Sequence, residues 1–327
     1  MSAYDPPRLT TPLRLGTRGS LLARAQSQLI AADLQSRFPG LRIELTIFKT
    51  SGDRITDRPL HEFGGKGLFT KELEQALLDR QVDFVVHSFK DVPVTMPLVA
   101  TTDLIVAATP PRQDPRDVLV SREGFRSLKD LAQGARVGTG SLRRRCQLLA
   151  IRPDLRVEGL RGNIDTRLRK LREGDYDAIV LAAAGVIRAG LFDTAAMSPL
   201  DEMLSAPGQG ALALQCRRDD PRTREILSAL HDEVTDICVA AERQVVQGLN
   251  GDCHSPIAAL AIVQGPSIGS EHSLLLRACV GGRDGVPPIV EAAASGSLSQ
   301  PRPVADQVLQ ELRAQGAARM LSGGLPS

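Results

Sequence analysis

The sequence predicts an α/β protein made of two similar lobes in tandem, followed by a third domain of the α+β kind. Its 327 residues correspond to two or three domains of ordinary size. Strand-like and helix-like segments alternate through the first part of the chain, which is typical of α/β sheets. After the stretch SAPGQGALALQC the pattern changes to long helical segments separated by short strands. These three observations define the predicted organisation.

The first lobe begins with LRLGT (13–17), a buried strand, and a helix then begins after Ser20. Phe38-Pro39-Gly40 ends this helix, and the alternating run at 41–48 predicts the next strand. A loop containing GGKG leads into the helix LFTKELEQALLDR and the strand VDFVVHS (82–88). This order of strand, helix and strand predicts a parallel sheet.

The second lobe repeats the pattern of the first. ARVGT (135–139) predicts a strand, LRRRCQLLAI and IDTRLRKLREG predict helices, and YDAIVLAAAG predicts another strand. LGTRGSLLARAQSQL and VGTGSLRRRCQLL share the same sequence of strand, Gly-Thr, Ser and helix. The three prolines of ATPPRQDPR (108–116) are typical of a linker. We therefore expect two periplasmic-binding-protein-like α/β lobes, of the kind that closes around a ligand.

The C-terminal part predicts a separate α+β domain. A helical pattern covers roughly 221–249 and ends in the loop LNGDCHSP. Short strand-like runs follow (IAALAIV, LLLRACV and PIVEAAA), and VADQVLQELRAQGAARML predicts one closing helix.

Composition narrows the range of functions. The net charge of +2 is too small to favour nucleic acid or a membrane as the main partner. Aromatic residues make up 3% of the chain and tryptophan is absent, which argues against base-stacking surfaces. No apolar run approaches the roughly 18 residues of a membrane helix, and the N-terminus lacks a secretory pattern. We expect a cytoplasmic protein.

The cysteines predict neither disulfides nor a metal site. The five of them include no C-x-x-C pair and no Cys/His set with zinc spacing. Cys146, Cys216, Cys238 and Cys279 lie in apolar patterns and are expected to be buried. Cys253 lies in a polar loop bounded by glycine and proline, where a thiol could act as a nucleophile or an attachment point. An inert exposed cysteine is the alternative.

Several arginines occupy positions that favour an anionic ligand. Neither GGKG nor GTGS completes a phosphate-binding or dinucleotide-binding motif. Helices nevertheless begin at Ser20 and Ser141, where free N–H groups can bind anions, although both serines could be simple caps. Cationic side chains near a helix N-terminus oppose its dipole, so a ligand between the lobes would explain their presence. These cations are Arg18, Arg143, Arg144, Arg161 and Arg167.

A second candidate site follows the strand at 82–88. HSFKDVP places Lys90 and Asp91 at the carboxyl end of that strand, where α/β sheets bind ligands. Lys90 could hold an anion, and Asp91 could act as an acid or base or stabilise a cation. The alternative is an exposed turn with a salt-bridged pair. His87 is expected to point into the fold.

Together these blocks carry a resemblance to a known family. The chain resembles the hydroxymethylbilane synthases, also called porphobilinogen deaminases, in blocks that follow the family order. These blocks are RLGTRGSLLARAQ, GGKGLFTKELE, VHSFKDVP, GTGSLRRRCQL, RPDLRVEGLRGNIDTRL, DYDAIVLAAAGVIRAGL, PGQGALALQCR and the cysteine loop.

The resemblance implies a reaction, a cofactor and a domain division. Such a transferase joins four porphobilinogens head to tail with loss of ammonia, then releases the linear tetrapyrrole with water. Its primer is a covalent dipyrromethane cofactor, made from two substrate molecules and held by a thioether that would fall on Cys253. The implied domains are 1–109 with 205–229, 110–204 and 230–327, in a monomer.

The resemblance also assigns roles to residues. Asp91 matches the carboxylate that stabilises positive charge near the pyrrole nitrogens as each bond forms. Each pyrrole carries an acetate and a propionate, so a growing chain brings many carboxylates for cations to hold. The positions that match cofactor-binding or substrate-binding residues are Arg18, Ser20, Lys66, Phe69, Lys90, Thr139, Ser141, Arg143, Arg144, Arg161, Asn163, Arg167 and Arg188.

Three positions depart from the family pattern. Glu62 stands where relatives commonly have a lysine, and Gly140 stands where they have a serine. Asp252 precedes the cysteine where glycine is common. None of these changes touches Asp91, Cys253 or the paired arginines.

Two other classes of function fit parts of the sequence. A two-lobed receptor that binds a carboxylate or oxyanion reversibly would use the same arginines without needing a cysteine. The third domain and the absence of a secretory pattern argue against it. A cysteine-dependent acyl transferase or hydrolase is a weaker third reading, and a thiol-sensitive burst with ester substrates would reveal it.

Overall fold

The chain forms two compact units, each made of two separate stretches. The computed structural model describes residues 11–50, 70–94, 103–252, 254–265 and 272–323. The first unit comprises Met1–Arg112 and Ala211–Glu233, and the second comprises Gln113–Gly210 and Val234–Ser327. The predicted division into three domains, with a boundary between 229 and 230, stays a prediction.

The first unit is built on a sheet with helices on both faces. Its described strands are β1 (Leu13–Arg18), β2 (Ile43–Phe48), β3 (Phe84–Ser88), β4 (Leu104–Ala108) and β10 (Leu212–Arg217), in the order β2-β1-β3-β10-β4. The helices are α1 (Leu21–Arg37), α2 (Lys71–Leu78) and α6 (Pro221–Ser228). Phe84 packs with α1 and α6 on one face, and the next residue, Val85, packs with α2 on the other. This alternation is that of a strand covered on both sides.

The second unit contains a sheet of the same design. Its described strands are β5 (Asp117–Ser121), β6 (Arg136–Gly138), β7 (Arg156–Glu158), β8 (Ala178–Ala182) and β9 (Met197–Leu200), in the order β7-β6-β8-β5-β9. The helices are α3 (Leu142–Ile151), α4 (Ile164–Glu173) and α5 (Ala183–Arg188). In both sheets the first three strands in this order are parallel, and the last two pairings are antiparallel.

This shared design confirms the prediction of two similar α/β lobes and corrects one detail of it. The predicted sheets were parallel, whereas both observed sheets are mixed. In each sheet one strand, β10 or β5, pairs antiparallel with both of its neighbours. Each of these strands follows a point where the chain passes from one unit to the other. Alternation of strands and helices along the chain could not reveal the direction of such a strand.

The second unit also contains the predicted α+β part. It consists of α7 (Glu233–Gly248), β11 (Ile257–Gln264), β12 (Ser273–Val280), β13 (Val290–Ser297), α8 (Pro301–Ala314) and α9 (Ala317–Leu321). The three strands form an antiparallel sheet in the order β11-β12-β13. One side of α8, with Val304, Val308 and Leu312, is buried.

Three predicted elements have different bounds in the structure. The helix expected over 221–249 is broken between α6 and α7, where Asp232 N donates to Thr109 O at 2.8 Å. The closing helix is broken at Gly316, whose φ of 88° lies outside the helical region. The strand expected over 176–185 ends at Ala182, and α5 begins at the next residue. In the part of the chain that is described, no helix is long and apolar enough to cross a membrane.

Candidate active site

In the first unit, two parallel strands bring the predicted residues to one edge of the sheet. β1 and β3 pair in parallel, with Leu15 opposite Phe84, so their carboxyl ends lie at the same edge. β1 ends at Arg18, and Ser20 then caps α1 by accepting a hydrogen bond from Ala23 N at 3.3 Å. The structure thus shows the capping role of Ser20 that the sequence left open. Binding of an anion there stays a prediction.

Lys90 and Asp91 follow β3 in a short 3-10 turn (Phe89–Asp91) at that same edge. Phe89 anchors the turn, because its side chain is buried and its N–H donates to Ala211 O at 3.0 Å. Ser88 at the end of β3 accepts from Gln26 Nε2 of α1 at 3.0 Å. Asp91 is half-buried. These contacts fix the turn that carries Asp91 to β10 and α1.

His87 lies inside the fold, as predicted. It is 5% exposed, and its Nε2 lies 2.9 Å from Oε1 of Gln215, whose Nε2 donates to Glu74 Oε1 at 3.1 Å. Because Gln215 donates through its amide nitrogen, its oxygen is left to accept from His87 Nε2. Burial lowers the pKa of His87, although the hydrogen bond from its ring to Gln215 opposes this.

The buried His87 predicts how stability depends on pH. Its pKa is lower in the folded chain than the ordinary 6.5, so below that pH the unfolded chain binds a proton that the folded chain resists. The free energy of unfolding should therefore hold above pH 6.5 and fall below it, by up to about 1.4 kcal/mol per pH unit from this group. Urea titrations between pH 5 and 8 measure the slope. His87→Gln should flatten it and His272→Gln, an exposed control, should not; equal slopes in all three proteins would contradict the assignment.

In the second unit, three parallel strands again end at one edge. β6 pairs in parallel with β7 and with β8. Thr139 and Ser141 follow β6, and the hydroxyl of Thr139 accepts from Ser141 N at 3.2 Å. Ser141 caps α3 by accepting from Arg144 N at 3.4 Å. In both sheets, therefore, a serine that follows a parallel strand caps the next helix: Ser20 caps α1 and Ser141 caps α3.

The segment after β7 supplies the next predicted residues. Arg161 is half-buried, and Asn163 occupies the N-cap position of α4 without a hydrogen bond from its side chain to the helix. Arg167 Nε donates to Gly162 O at 2.7 Å. Gly162 has a φ of 112° and the Cβ of any other residue would lie 2.6 Å from Thr166 Cγ2, so this turn requires glycine.

Arg143 and Arg144 are buried on a carboxylate that the sequence reasoning did not single out. They are 4% and 5% exposed, and each donates through Nη2 to Asp117 at 2.8 Å. Asp117 itself is fully buried at the start of β5. Its placement directly after the proline-rich linker was the only available signal. The expectation that these two arginines contact a ligand stays a prediction.

Arg188 extends this group of cations. Its Nη2 donates to Gly210 O at 2.8 Å, and burial lowers its pKa to about 10, so it keeps its charge at neutral pH. Within the described residues, the Nε atoms of Arg144 and Arg188 are buried without a hydrogen-bond partner. Buried donors without acceptors are costly, so an anion that reached them would be bound favourably.

Of the three departures from the pattern of the resembled family, Gly140 and Asp252 lie in the described residues. A Cβ at Gly140 would lie 2.9 Å from Leu160 O, so the serine of relatives would require a local shift here. Asp252 Oδ1 accepts from His254 N at 2.9 Å and from Ser255 N at 3.0 Å. Glu62, Lys66, Phe69 and Cys253 itself lie outside the described residues.

The other four cysteines are buried, as predicted. Burial raises the pKa of Cys146 to about 11 and that of Cys216 to about 12, and it also raises that of Cys279. These three thiols are therefore protonated at neutral pH, and a thiol is a poor nucleophile.

The fold and the two sheet edges define a class of protein: a pair of like α/β lobes, each with cationic side chains at the carboxyl edge of its sheet, followed by an α+β part. Comparison with known proteins narrows this class. A family model described as "Porphobilinogen deaminase, dipyromethane cofactor binding domain" matches residues 13–225, and "Porphobilinogen deaminase, C-terminal domain" matches residues 236–314. The chain belongs to the porphobilinogen deaminase family.

Curated relatives match nearly the whole chain. The porphobilinogen deaminase of Syntrophobacter fumaroxidans is 46% identical, covering 94% of this chain and 96% of the relative. That of Acidithiobacillus ferrooxidans is 48% identical, covering 94% and 97%. Among solved structures, the methionine binding protein MetQ matches with a TM-score of 0.42 and 12% identity, covering 71% of this chain and 94% of that one. The chain is thus an enzyme, a transferase of tetrapyrrole biosynthesis that acts on porphobilinogen and uses a dipyrromethane cofactor.

Proposed function

We propose that the predicted site residues have different roles in hydroxymethylbilane synthesis. Cations bind the carboxylates of the substrate, Asp91 stabilises the positive charge that develops during condensation, and Cys253 holds the cofactor. The observation that carries this proposal is the excess of guanidinium groups that are buried (Arg143 and Arg144) or half-buried (Arg188) in the second unit. Arg143, Arg144 and Arg188 are described there with Asp117 as their one hydrogen-bonded carboxylate.

That excess fits a ligand with several carboxylates. A buried cation without a counter-charge is unfavourable, so the group is stabilised when anions reach it. Every pyrrole unit of the substrate and the cofactor brings an acetate and a propionate. Among the residues that the structure describes, the Nε atoms of Arg144 and Arg188 have no hydrogen-bond partner, and they are donors of the type that binds carboxylates. Together with Thr139, Ser141, Arg161, Asn163 and Arg167, these residues would hold the cofactor or the substrate.

Asp91 is suited to the chemical step. Departure of ammonia from the substrate leaves an electron-poor carbon, and attack by a pyrrole places positive charge on the pyrrole nitrogen. A fixed carboxylate can accept a hydrogen bond from that N–H and stabilise the charge without reorganisation. Lys90 and Arg18, at the same edge, would bind substrate carboxylates and so orient the ring. We propose that Lys66 and Phe69, between β2 and α2 in the chain, also bind the cofactor or the substrate.

The cofactor, when bound, supplies the free pyrrole position to which the first substrate is joined. Cys253 is the proposed attachment point because it matches the attachment cysteine of the family, and the four other cysteines are buried. A thioether at Cys253 would retain the growing chain, and hydrolysis by water would release the linear tetrapyrrole.

The intact mass of the denatured protein tests the attachment. The wild type should exceed its sequence mass by a two-pyrrole adduct, and Cys253→Ser should lack it. Cys238→Ser, which changes a buried cysteine elsewhere in the second unit, should keep the adduct. A wild-type chain that stays bare after incubation with porphobilinogen would contradict the proposal and favour a reversible anion-binding protein.

We also propose that the enzyme works as a cytoplasmic monomer without nucleic acid. The net charge of +2 offers little attraction to a polyanion, and buried free thiols suit a reducing compartment. Light scattering behind a sizing column should give a mass close to 35.1 kDa, and a doubled mass would contradict the monomer.

A further inference from the structure

Asp117 is the shared acceptor of the buried cations in the second unit. Its Oδ2 accepts from Arg143 Nη2 and its Oδ1 from Arg144 Nη2, each at 2.8 Å. Gln209 Nε2 donates to Oδ1, also at 2.8 Å. Burial alone would raise the pKa of Asp117, but the charges of Arg143 and Arg144 hold it well below its usual range. The carboxylate is therefore ionised throughout the neutral range.

The other terminal nitrogen of each guanidinium is also fixed. Arg143 Nη1 donates to Leu204 O, and Arg144 Nη1 donates to Val180 O at 2.8 Å. Two contacts determine the orientation of a planar guanidinium group, and one of the two is Asp117 in both cases. Loss of this carboxylate would therefore release both arginines at once.

Arg188 joins the same hydrogen-bonded group through the backbone. Gln209, which donates to Asp117, is followed by Gly210, whose carbonyl accepts from Arg188 Nη2 at 2.8 Å. Gly210 has a φ of 88°, and a Cβ there would lie 2.3 Å from Gln113 O, so this position requires glycine. The three arginines are thus oriented by one connected set of contacts.

We propose that Asp117 is a positioning residue for substrate binding, which orients Arg143 and Arg144 directly and Arg188 through Gln209 and Gly210. The inference rests on the proposed function, because it concerns the same carboxylate-binding arginines. Asp117 itself does not touch the substrate; it acts through the guanidinium groups.

The variant Asp117→Asn tests this role with little change of shape. Its amide has one oxygen to accept from one arginine, while its NH2 group faces the donors of the other. At least one guanidinium then loses its orientation, so the KM for porphobilinogen should rise about 10- to 100-fold, while kcat changes less than about threefold. Steady-state kinetics on cofactor-loaded protein, verified by intact mass, measure both values.

Asp83→Asn is a matched control, because Asp83 is also shared by two arginines. In the first unit, Asp83 Oδ1 lies 2.8 Å from Arg14 Nη2 and 3.2 Å from Arg217 Nη2. Asp83 precedes β3, whereas the candidate site residues Lys90 and Asp91 follow the carboxyl end of that strand. Asp83→Asn should lower the unfolding temperature and leave the KM within about twofold of the wild type. Equal losses of thermal stability in both variants with an unchanged KM in Asp117→Asn would overturn the proposal.

A second variant covers the case in which Asp117→Asn does not fold. Gln209→Met keeps the carboxylate and removes one of its three donors, so we expect a KM increase of about three- to tenfold. An unchanged KM in Gln209→Met would then overturn the proposal. The wild type distinguishes failure of this inference from failure of the proposed function. If the wild type forms no tetrapyrrole, the proposed function is wrong; if it does and the KM values of the variants are unchanged, only the role of Asp117 is wrong.

Discussion

Replacing Asp91 with asparagine should abolish most of the activity while leaving the fold intact. Asparagine has the same shape and can still accept a hydrogen bond, but it lacks the charge that would stabilise a cationic pyrrole. Loss of one preorganised electrostatic group typically lowers kcat about 10²- to 10³-fold. Because the 3-10 turn is held by Phe89 and Ser88, the substitution should leave the turn in place.

The measurement is the rate of tetrapyrrole formation at saturating porphobilinogen, on protein whose mass shows the cofactor adduct. Asp79→Asn is the control, since Asp79 is an exposed carboxylate at the end of α2 in the same unit. It should retain wild-type kinetics. A turnover rate of Asp91→Asn within tenfold of the wild type would remove Asp91 from the catalytic role.

Sequence patterns predicted the features of the site that depend on local order. Strand, Gly-Thr, Ser and helix recur at Ser20 and Ser141, and both serines cap their helices in the structure. The carboxyl ends of β3 and β6 follow from the strand patterns, so the placement of Lys90, Asp91 and Thr139 at sheet edges could be expected. The short strand β7, which precedes Arg161, was not predicted. Each of these inferences uses residues that are neighbours in sequence.

Contacts between distant residues could not be predicted in this way. Asp117 meets Arg143, Arg144 and Gln209 through separations of 26, 27 and 92 residues. The sequence shows only an acidic residue before an apolar run. The same limit applies to the break between α6 and α7, where Asp232 binds the backbone of Thr109. Helical periodicity continues through this break, and a tertiary contact overrides it.

A second large effect is expected at Glu242, a fully buried carboxylate in α7. Its Oε2 accepts from Gly208 N at 2.7 Å and its Oε1 from Ala261 N at 2.8 Å. It therefore joins α7 to the segment before β10 and to the edge strand β11. Glu242 thus anchors the helix that precedes Cys253, the proposed attachment cysteine, in the chain.

Glu242→Leu should destabilise the second unit strongly. It leaves two buried N–H groups without this acceptor, at a cost of about 1–3 kcal/mol each. For a unit of this size the unfolding temperature should fall by at least about 4 °C, as measured by calorimetry. Glu242→Gln keeps one acceptor oxygen and should lose about half as much, whereas Glu291→Gln, at an exposed position on β13, should stay within about 1 °C of the wild type. If Glu242→Leu unfolds at the wild-type temperature, the two hydrogen bonds do not stabilise the unit, and α7 must be held by its apolar face alone.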